Sequence, residues 1–226
     1  NSTKIKIIDM IKSEFEKYAT GHLNVNSMAL HDYQNSMTPY ILEEREMRAT
    51  QMDIFSRLMM DRILWIAGPI TEMTGIIVQA QLMFLSNSDD KDITMHIDSP
   101  GGSVKAGLGI IDVMEYIKSD IRTINTGMAA SMGSVLLGAG TKGKRSSLRF
   151  SRTMLHQSSG GAVGNIQDAR ISMVEWEKIN QTLFSLLGRY CKKTASRVAK
   201  DASRDLWLDA DASLKYGIID EIILKQ

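Results

Sequence analysis

Apolar residues recur at helical spacing from the start of the chain. Ile5, Ile8, Ile11, Phe15 and Tyr18 predict a short amphipathic helix over residues 1–18. From residue 19 to 38 the pattern fades into Gly, His, Asn and Ser, which reads as a linker closed by Pro39. A main body begins near Tyr40. Residues 53–60 read as a helix, and the apolar run 62–67 before Gly68-Pro69 as a buried strand and its turn. Helical periodicity then covers 72–86 through Ile76, Ile77, Ala80 and Phe84. A strand follows over 92–97, a helix over 104–118 and a strand over 121–126. The small apolar stretch 130–139 reads as a buried helix, and 153–156 as a short strand. The longest helical stretch is 165–190, followed by short helices at 195–200 and 210–216 and a closing strand at 218–224. Strands alternating with helices in this way predict an α/β fold on a mainly parallel sheet.

Composition narrows the function classes. The 226 residues carry 27 Lys and Arg against 26 Asp and Glu, a net charge of +1. With no global field, neither nucleic acid nor an anionic membrane is an expected partner. Hydrophobic residues at 43% and charged residues at 23% exclude wholesale disorder. The single cysteine, Cys191, forms no intrachain disulfide and supplies no thiolate cluster for a structural zinc. Residues 1–18 lack a secretory apolar region, and no run approaches the length of a membrane span. A soluble cytoplasmic location is therefore expected.

Candidate chemistry gathers in three places. In Gly127-Met-Ala-Ala-Ser131-Met-Gly-Ser134 a strand runs through small residues into a serine and a helix. Small neighbours allow close backbone approach, and a helix N-terminus favours a developing oxyanion, so Ser131 is a candidate nucleophile. The ordinary alternative is a tightly packed helix with Ser131 as its N-cap. The turn Asp98-Ser-Pro-Gly101-Gly102-Ser103 can present backbone N–H groups to an anion or an extended peptide, or be a plain strand-to-helix turn. It is not a phosphate loop, since no Gly-Lys-Ser/Thr follows. A nucleophilic serine needs a base. His22 and His31 lie near the N-terminus and His96 within a strand, whereas His156 ends a strand facing a loop. Strand ends are where α/β folds place their sites. The orienting carboxylate stays open among Asp168, Asp201, Asp205, Asp209 and Asp211, each also a candidate helix cap.

Taken together these segments resemble the proteolytic subunit family of the Clp proteases. The resemblance covers roughly residues 37–226. It rests on Met52-Asp-Ile-Phe-Ser-Arg-Leu, Ile97-Asp-Ser-Pro-Gly-Gly, Gly127-Met-Ala-Ala-Ser-Met-Gly-Ser and Ala139-Gly-Thr-Lys-Gly-Lys-Arg, and then on Arg152-Thr-Met-Leu-His-Gln, Arg204-Asp-Leu-Trp-Leu and Tyr216-Gly-Ile-Ile-Asp. It implies a serine endopeptidase with the triad Ser131, His156 and Asp205, and an oxyanion hole from the backbone N–H groups of Gly102 and Met132. The implied fold is crotonase-like, with a protruding handle helix over 165–190. Fourteen subunits would assemble as two stacked heptameric rings around a chamber. The region of Gly160, Gly161 and Gly164 would pair with substrate beside the handle. The implied substrates are unfolded proteins delivered by a Clp-type AAA+ ATPase, which consumes the ATP, and small peptides cleaved without it. The chain itself would need no cofactor.

The same resemblance divides the chain into an appendage (1–36, a propeptide or a retained arm), an axial loop segment (37–52) and a catalytic domain (53–226). Tyr116 matches an aromatic of the ATPase-docking patch, while Thr94 and His96 stand where tyrosines are usual. Arg204 is a candidate for an ion pair across the ring interface. Three rival readings remain: an acyl-CoA hydratase or isomerase on the same fold with a glutamate in its site, a non-catalytic ring scaffold, and a serine–lysine peptidase using Lys142 or Lys144.

Overall fold

A computed structural model describes residues 17, 20, 21, 40–45, 48–158 and 165–224. Its first hairpin is antiparallel, β1 (Tyr40–Arg45) against β2 (Arg48–Asp53). The predicted helix over 1–18 and the linker after it lie outside the described residues apart from positions 17, 20 and 21. Asp53 ends the hairpin and caps α1 (Ile54–Met60), its buried carboxylate accepting from the Ser56 N–H at 2.8 Å.

From there strands and helices alternate. They are β3 (Ile63–Ala67), α2 (Glu72–Ser88), β4 (Ile93–Ser99), α3 (Val104–Tyr116), β5 (Ile121–Ala130) and α4 (Met132–Ala139), then β6 (Arg145–Leu148), β7 (Arg152–Leu155), α5 (Ile166–Cys191) and α6 (Ala195–Asp201), and finally β8 (Leu206–Leu208), α7 (Ala210–Tyr216) and β9 (Glu221–Ile223). Side chains alternate between the faces of a strand, so Leu64 and Ile66 of β3 and Met95 and Ile97 of β4 point one way. They form one core with Ile77 and Leu82 of α2, Ile110 of α3 and Leu136 of α4, all nearly inaccessible to water. Burying each such side chain contributes about 1.5–3 kcal/mol. The opposite face is only half covered. There Trp65 and His96 stack with ring centroids 4.7 Å apart, and burial lowers the His96 pKa.

The main sheet runs β3-β4-β5-β6-β9, with all of these pairs parallel. Beyond β6, the end of β5 pairs in parallel with β7, and β7 pairs antiparallel with β8. The α/β class with a mainly parallel sheet is therefore observed. Several boundaries differ from the sequence reading, each for a physical reason. β3 starts at Ile63 because Arg62 sits at φ 61°. Its guanidinium donates to the carbonyls of Leu85, Asp89, Lys91 and Asp92, tying the bottom of the sheet together. β5 continues to Ala130, so α4 begins at Met132 rather than at residue 130. β6 escaped the reading because Arg145-Ser-Ser looks polar, yet all three are buried and hydrogen-bonded.

Arg145 holds the far edge. Its guanidinium is forked onto Asp220 at 2.6 and 2.8 Å and also donates to the Tyr190 carbonyl at 3.1 Å. Arg145 is buried and Asp220 only partly exposed, so removing the guanidinium leaves the carboxylate largely uncompensated. Arg145→Ala is therefore expected to lower folding stability by about 3–5 kcal/mol, read as a fall in the urea midpoint.

The N-terminal half of α5 projects from the body. Ile166, Ile171, Met173 and Val174 are all more than half exposed, whereas Leu183, Leu187 and Cys191 pack into the core. Burial pushes the Cys191 thiol up to about 11, so it stays protonated and inert. No helix among the described residues is long and apolar enough to cross a membrane.

Candidate active site

The site forms where β4, β5 and β7 end together. Gly127, Ala129 and Ala130 are the small residues that carry β5 to Ser131, which occupies the N-cap position of α4. Two observations bear on the readings of Ser131. Its side chain makes no capping bond, and its backbone sits at φ 53°, ψ −122°, a conformation that costs a non-glycine residue on the order of 1–3 kcal/mol. Instead of capping, its Oγ lies 2.8 Å from His156 Nε2. The Ser131 N–H donates to the Met154 carbonyl at 2.9 Å, which fixes the end of β5 against β7.

His156 follows the last residue of β7. The antiparallel register of β7 and β8 pairs Thr153 with Leu208, Met154 with Trp207 and Leu155 with Leu206. Continuing it by one step sets Asp205 opposite His156. His156 Nδ1 and Asp205 Oδ1 approach to 3.3 Å, a looser contact than the one to Ser131. Sites without substrate commonly show such slack and tighten on binding.

The other four aspartates lie elsewhere, three of them with partners of their own. Asp201 is held by Arg197 and by the Tyr216 hydroxyl. Asp209 caps α7 through the Ala212 N–H, Asp211 lies in the first turn of α7, and Asp168 accepts from Asn165 at the start of α5. Lys144 does not serve a serine–lysine pair. Hydrogen bonds to Asp120 and then Asp92 raise its pKa, at 2.8 and 2.7 Å, at the opposite end of the sheet. A cleft of about 540 Å³ opens beside His156, lined by Gln157, Ser158, Ala202, Ser203, Arg204 and Asp205, with no glutamate among them.

The turn after β4 brings Gly101 against Ser131 and Gly102 against Ile70. Ser99 braces it, donating to the Gly68 carbonyl at 2.6 Å and accepting from the Gly101 N–H. Ile70 pairs with Gly102 in a parallel bridge, its N–H bonded to the Gly101 carbonyl and its carbonyl to the Ser103 N–H. In that pattern the N–H of Gly102 itself points away from Ile70, toward β5. A Cβ on Gly101 would come within 2.7 Å of the Ser131 Cβ and 3.0 Å of the Met132 nitrogen. A Cβ on Gly102 would strike the Ile70 carbonyl oxygen at 2.2 Å. The Met132 side chain is buried against Gly107, while its N–H opens the helix. Among the described residues, neither the Gly102 nor the Met132 N–H meets an acceptor.

Of the other sequence candidates, Tyr116 ends α3 and is 79% exposed, Thr94 pairs with Ile63, and His96 stacks on Trp65. Gly160, Gly161 and Gly164 lie outside the described residues. The residues leading to them are anchored, since the Ser158 N–H and hydroxyl both donate to Asn180 of α5. The sequence did not single out the hydrogen bonds that Ser99, Asp98 and Asn125 make around these turns. The available signal was an Asp, Asn or Ser beside each glycine-containing turn.

Comparison with known proteins follows the same lines. A family model described as Clp protease matches residues 44–226. The chain is 49% identical over 218 residues to an ATP-dependent Clp protease proteolytic subunit of Bacteroides fragilis, covering 94% of this chain and 99% of that one. It is 48% identical over 218 residues to the protein of the same description from Porphyromonas gingivalis, covering 94% and 98%.

Proposed function

The chain belongs to the Clp protease family and acts as a serine peptidase, and we propose that Ser131, His156 and Asp205 are its catalytic triad. The observation that carries this is the 2.8 Å contact between Ser131 Oγ and His156 Nε2, with Asp205 set opposite by strand register. His156 takes the Ser131 proton as Oγ attacks a peptide carbonyl. Asp205 holds the imidazole tautomer and stabilises the imidazolium. The oxyanion is received by the free N–H groups of Gly102 and Met132, each donor contributing about 3–4 kcal/mol by comparison with measured sites. The imidazolium then protonates the leaving amine, and water releases the acyl group. No step draws on a cofactor.

Gly102→Ala tests the oxyanion turn. Its Cβ would displace the turn from Ile70, and its φ of 151° disfavours any side chain. A fall in kcat of about 10²–10³-fold is expected with the assembly intact.

The substrate is an extended polypeptide, and the chain works with a Clp-type AAA+ ATPase that consumes the ATP and delivers unfolded proteins. Small peptides enter unaided. Hydrolysis of a fluorogenic peptide by the purified protein tests this activity; turnover of an acyl-CoA thioester with no peptide cleavage would overturn it.

The protein assembles in a crotonase-like fold as two stacked heptamers in the cytoplasm, with α5 as the handle between rings and Tyr116 at the ATPase-docking face. Residues 1–36 form an appendage, 37–52 the axial segment and 53–226 the catalytic domain, with Gly160, Gly161 and Gly164 beside the substrate strand. Two observations support association. The exposed apolar residues of α5 have no cover in the single chain. The Trp65–His96 face of the sheet is half bare, whereas parallel sheets are usually covered on both sides. Light scattering should give a mass near fourteen subunits. Ile171→Asp combined with Met173→Asp should halve it. An unchanged mass for this variant would remove α5 from the ring contact.

A further inference from the structure

β5 carries an irregularity just before Ser131. Two steps of β4, from Ile97 to Ser99, run against four of β5, from Asn125 to Ala129. Thr126, Gly127 and Met128 therefore face the single residue Asp98. Over the same stretch β5 changes partner on its other edge, from β6 at Asn125↔Ser147 to β7 at Met128↔Arg152. A strand that loses its ladder on both edges leaves backbone groups unmatched.

Side chains take over that role. Asp98 Oδ1 accepts from the Met128 N–H at 2.9 Å, and Asn125 Oδ1 accepts from the Gly127 N–H at 3.3 Å. Asn125 Nδ2 donates across to β7, to the Arg152 carbonyl at 3.0 Å and Thr153 Oγ1 at 3.3 Å. The Ser151 hydroxyl donates back to the Asn125 carbonyl at 2.9 Å. Asn125 and Thr153 are buried, so the bonds of the Asn125 clip are shielded from water, whereas the Asp98–Met128 bond lies at the surface. Asp98 packs close over Gly127: a Cβ there would come within 2.6 Å of Asp98 Oδ1, so a side chain would push the carboxylate off its place.

The two clips govern different approaches to Ser131. Asp98 directly precedes Ser99-Pro-Gly101-Gly102, so its bond to Met128 sets where that turn lies along β5. Asn125 joins β5 to β7, whose register brings the Met154 carbonyl to the Ser131 N–H and His156 to Ser131 Oγ. We propose that Asp98 and Asn125 are positioning residues that hold the β5 bulge so that the oxyanion turn and His156 converge on Ser131. The inference rests on the triad reading above. Misplacement by about 1 Å costs on the order of 10²-fold in rate, so the effect belongs in kcat rather than in substrate binding.

Asp98→Ala, Asp98→Asn and Asn125→Ala in the full chain test it. The readouts are kcat and KM on a fluorogenic peptide, the rate of Ser131 labelling by a fluorophosphonate, and the assembled mass. Asp98→Ala is expected to lower kcat and the labelling rate by about 10–100-fold, with KM and mass held. Asp98→Asn keeps an acceptor oxygen for the Met128 N–H and is expected to recover most of the loss. Asn125→Ala should lower kcat to a similar degree; if it does not fold, the Asp98 pair alone decides. Equal rates for the two Asp98 variants, a loss carried by KM, or a loss that follows a change in mass would overturn the proposal. Wild-type protein unlabelled at Ser131 would fail the triad reading and this inference with it. A labelled wild type with an unimpaired Asp98→Ala would fail the positioning role alone.

Discussion

Ser131→Ala is expected to lower peptide hydrolysis by about 10⁴-fold or more while leaving the fold and assembly in place. The size follows from serine peptidases in which the nucleophile has been removed and the oxyanion hole and binding site remain. The variant separates two roles that the sequence alone could not distinguish. Were Ser131 only a helix cap, alanine would cost about 1 kcal/mol of stability and leave the rate untouched. The structure argues against capping, because its Oγ makes no bond to the helix and lies instead at 2.8 Å from His156. The backbone at φ 53°, ψ −122° is itself unfavourable for serine. The expected signature is therefore a lost rate with no matching fall in thermal midpoint.

Asp205→Asn carries the second large effect, about 10³–10⁴-fold in kcat. An amide can hold the ring of His156 in the wrong tautomer and cannot stabilise the imidazolium. The contact at 3.3 Å leaves Asp205 well exposed, so the substitution disturbs no core packing. Asp201→Asn provides the contrast. Its carboxylate is engaged by Arg197 and Tyr216, away from His156, and its loss is expected to change kcat by less than about 10-fold. Steady-state kinetics of the two variants on one peptide checks both statements. Comparable losses would remove the assignment of Asp205 over its neighbour.

Much of this architecture was legible in the chain itself. β4 and α3 announce themselves because one face of each is apolar at the right period, and β3 and α2 because they are apolar runs between turn signals; all four supply side chains to the core. β1, β2, β6 and β8 were missed because none of them carries an apolar alternation long enough to read. β6 reads Arg-Ser-Ser-Leu and is buried through hydrogen bonds and the Asp220 pair, which leave no periodic trace. β8 has three residues, too few for any pattern. Its absence from the reading mattered, because the choice among five aspartates depends on its antiparallel register with β7. Resemblance to a family could name Asp205, but residue spacing could not, since the contact is made by pairing across a sheet. The end of β5 was hidden for a related reason: its bulge at Thr126–Met128 interrupts the alternation, so the apolar pattern stops where the strand merely changes partners.

Activity requires that Ser131 be a nucleophile activated by His156. Reaction of the purified protein with a fluorophosphonate, followed by intact mass and peptide mapping, measures it directly. The prediction is one adduct per chain on Ser131, strongly slowed by His156→Ala. A protein that cleaves peptides while Ser131 stays unmodified, or one whose labelling is indifferent to His156, would contradict it.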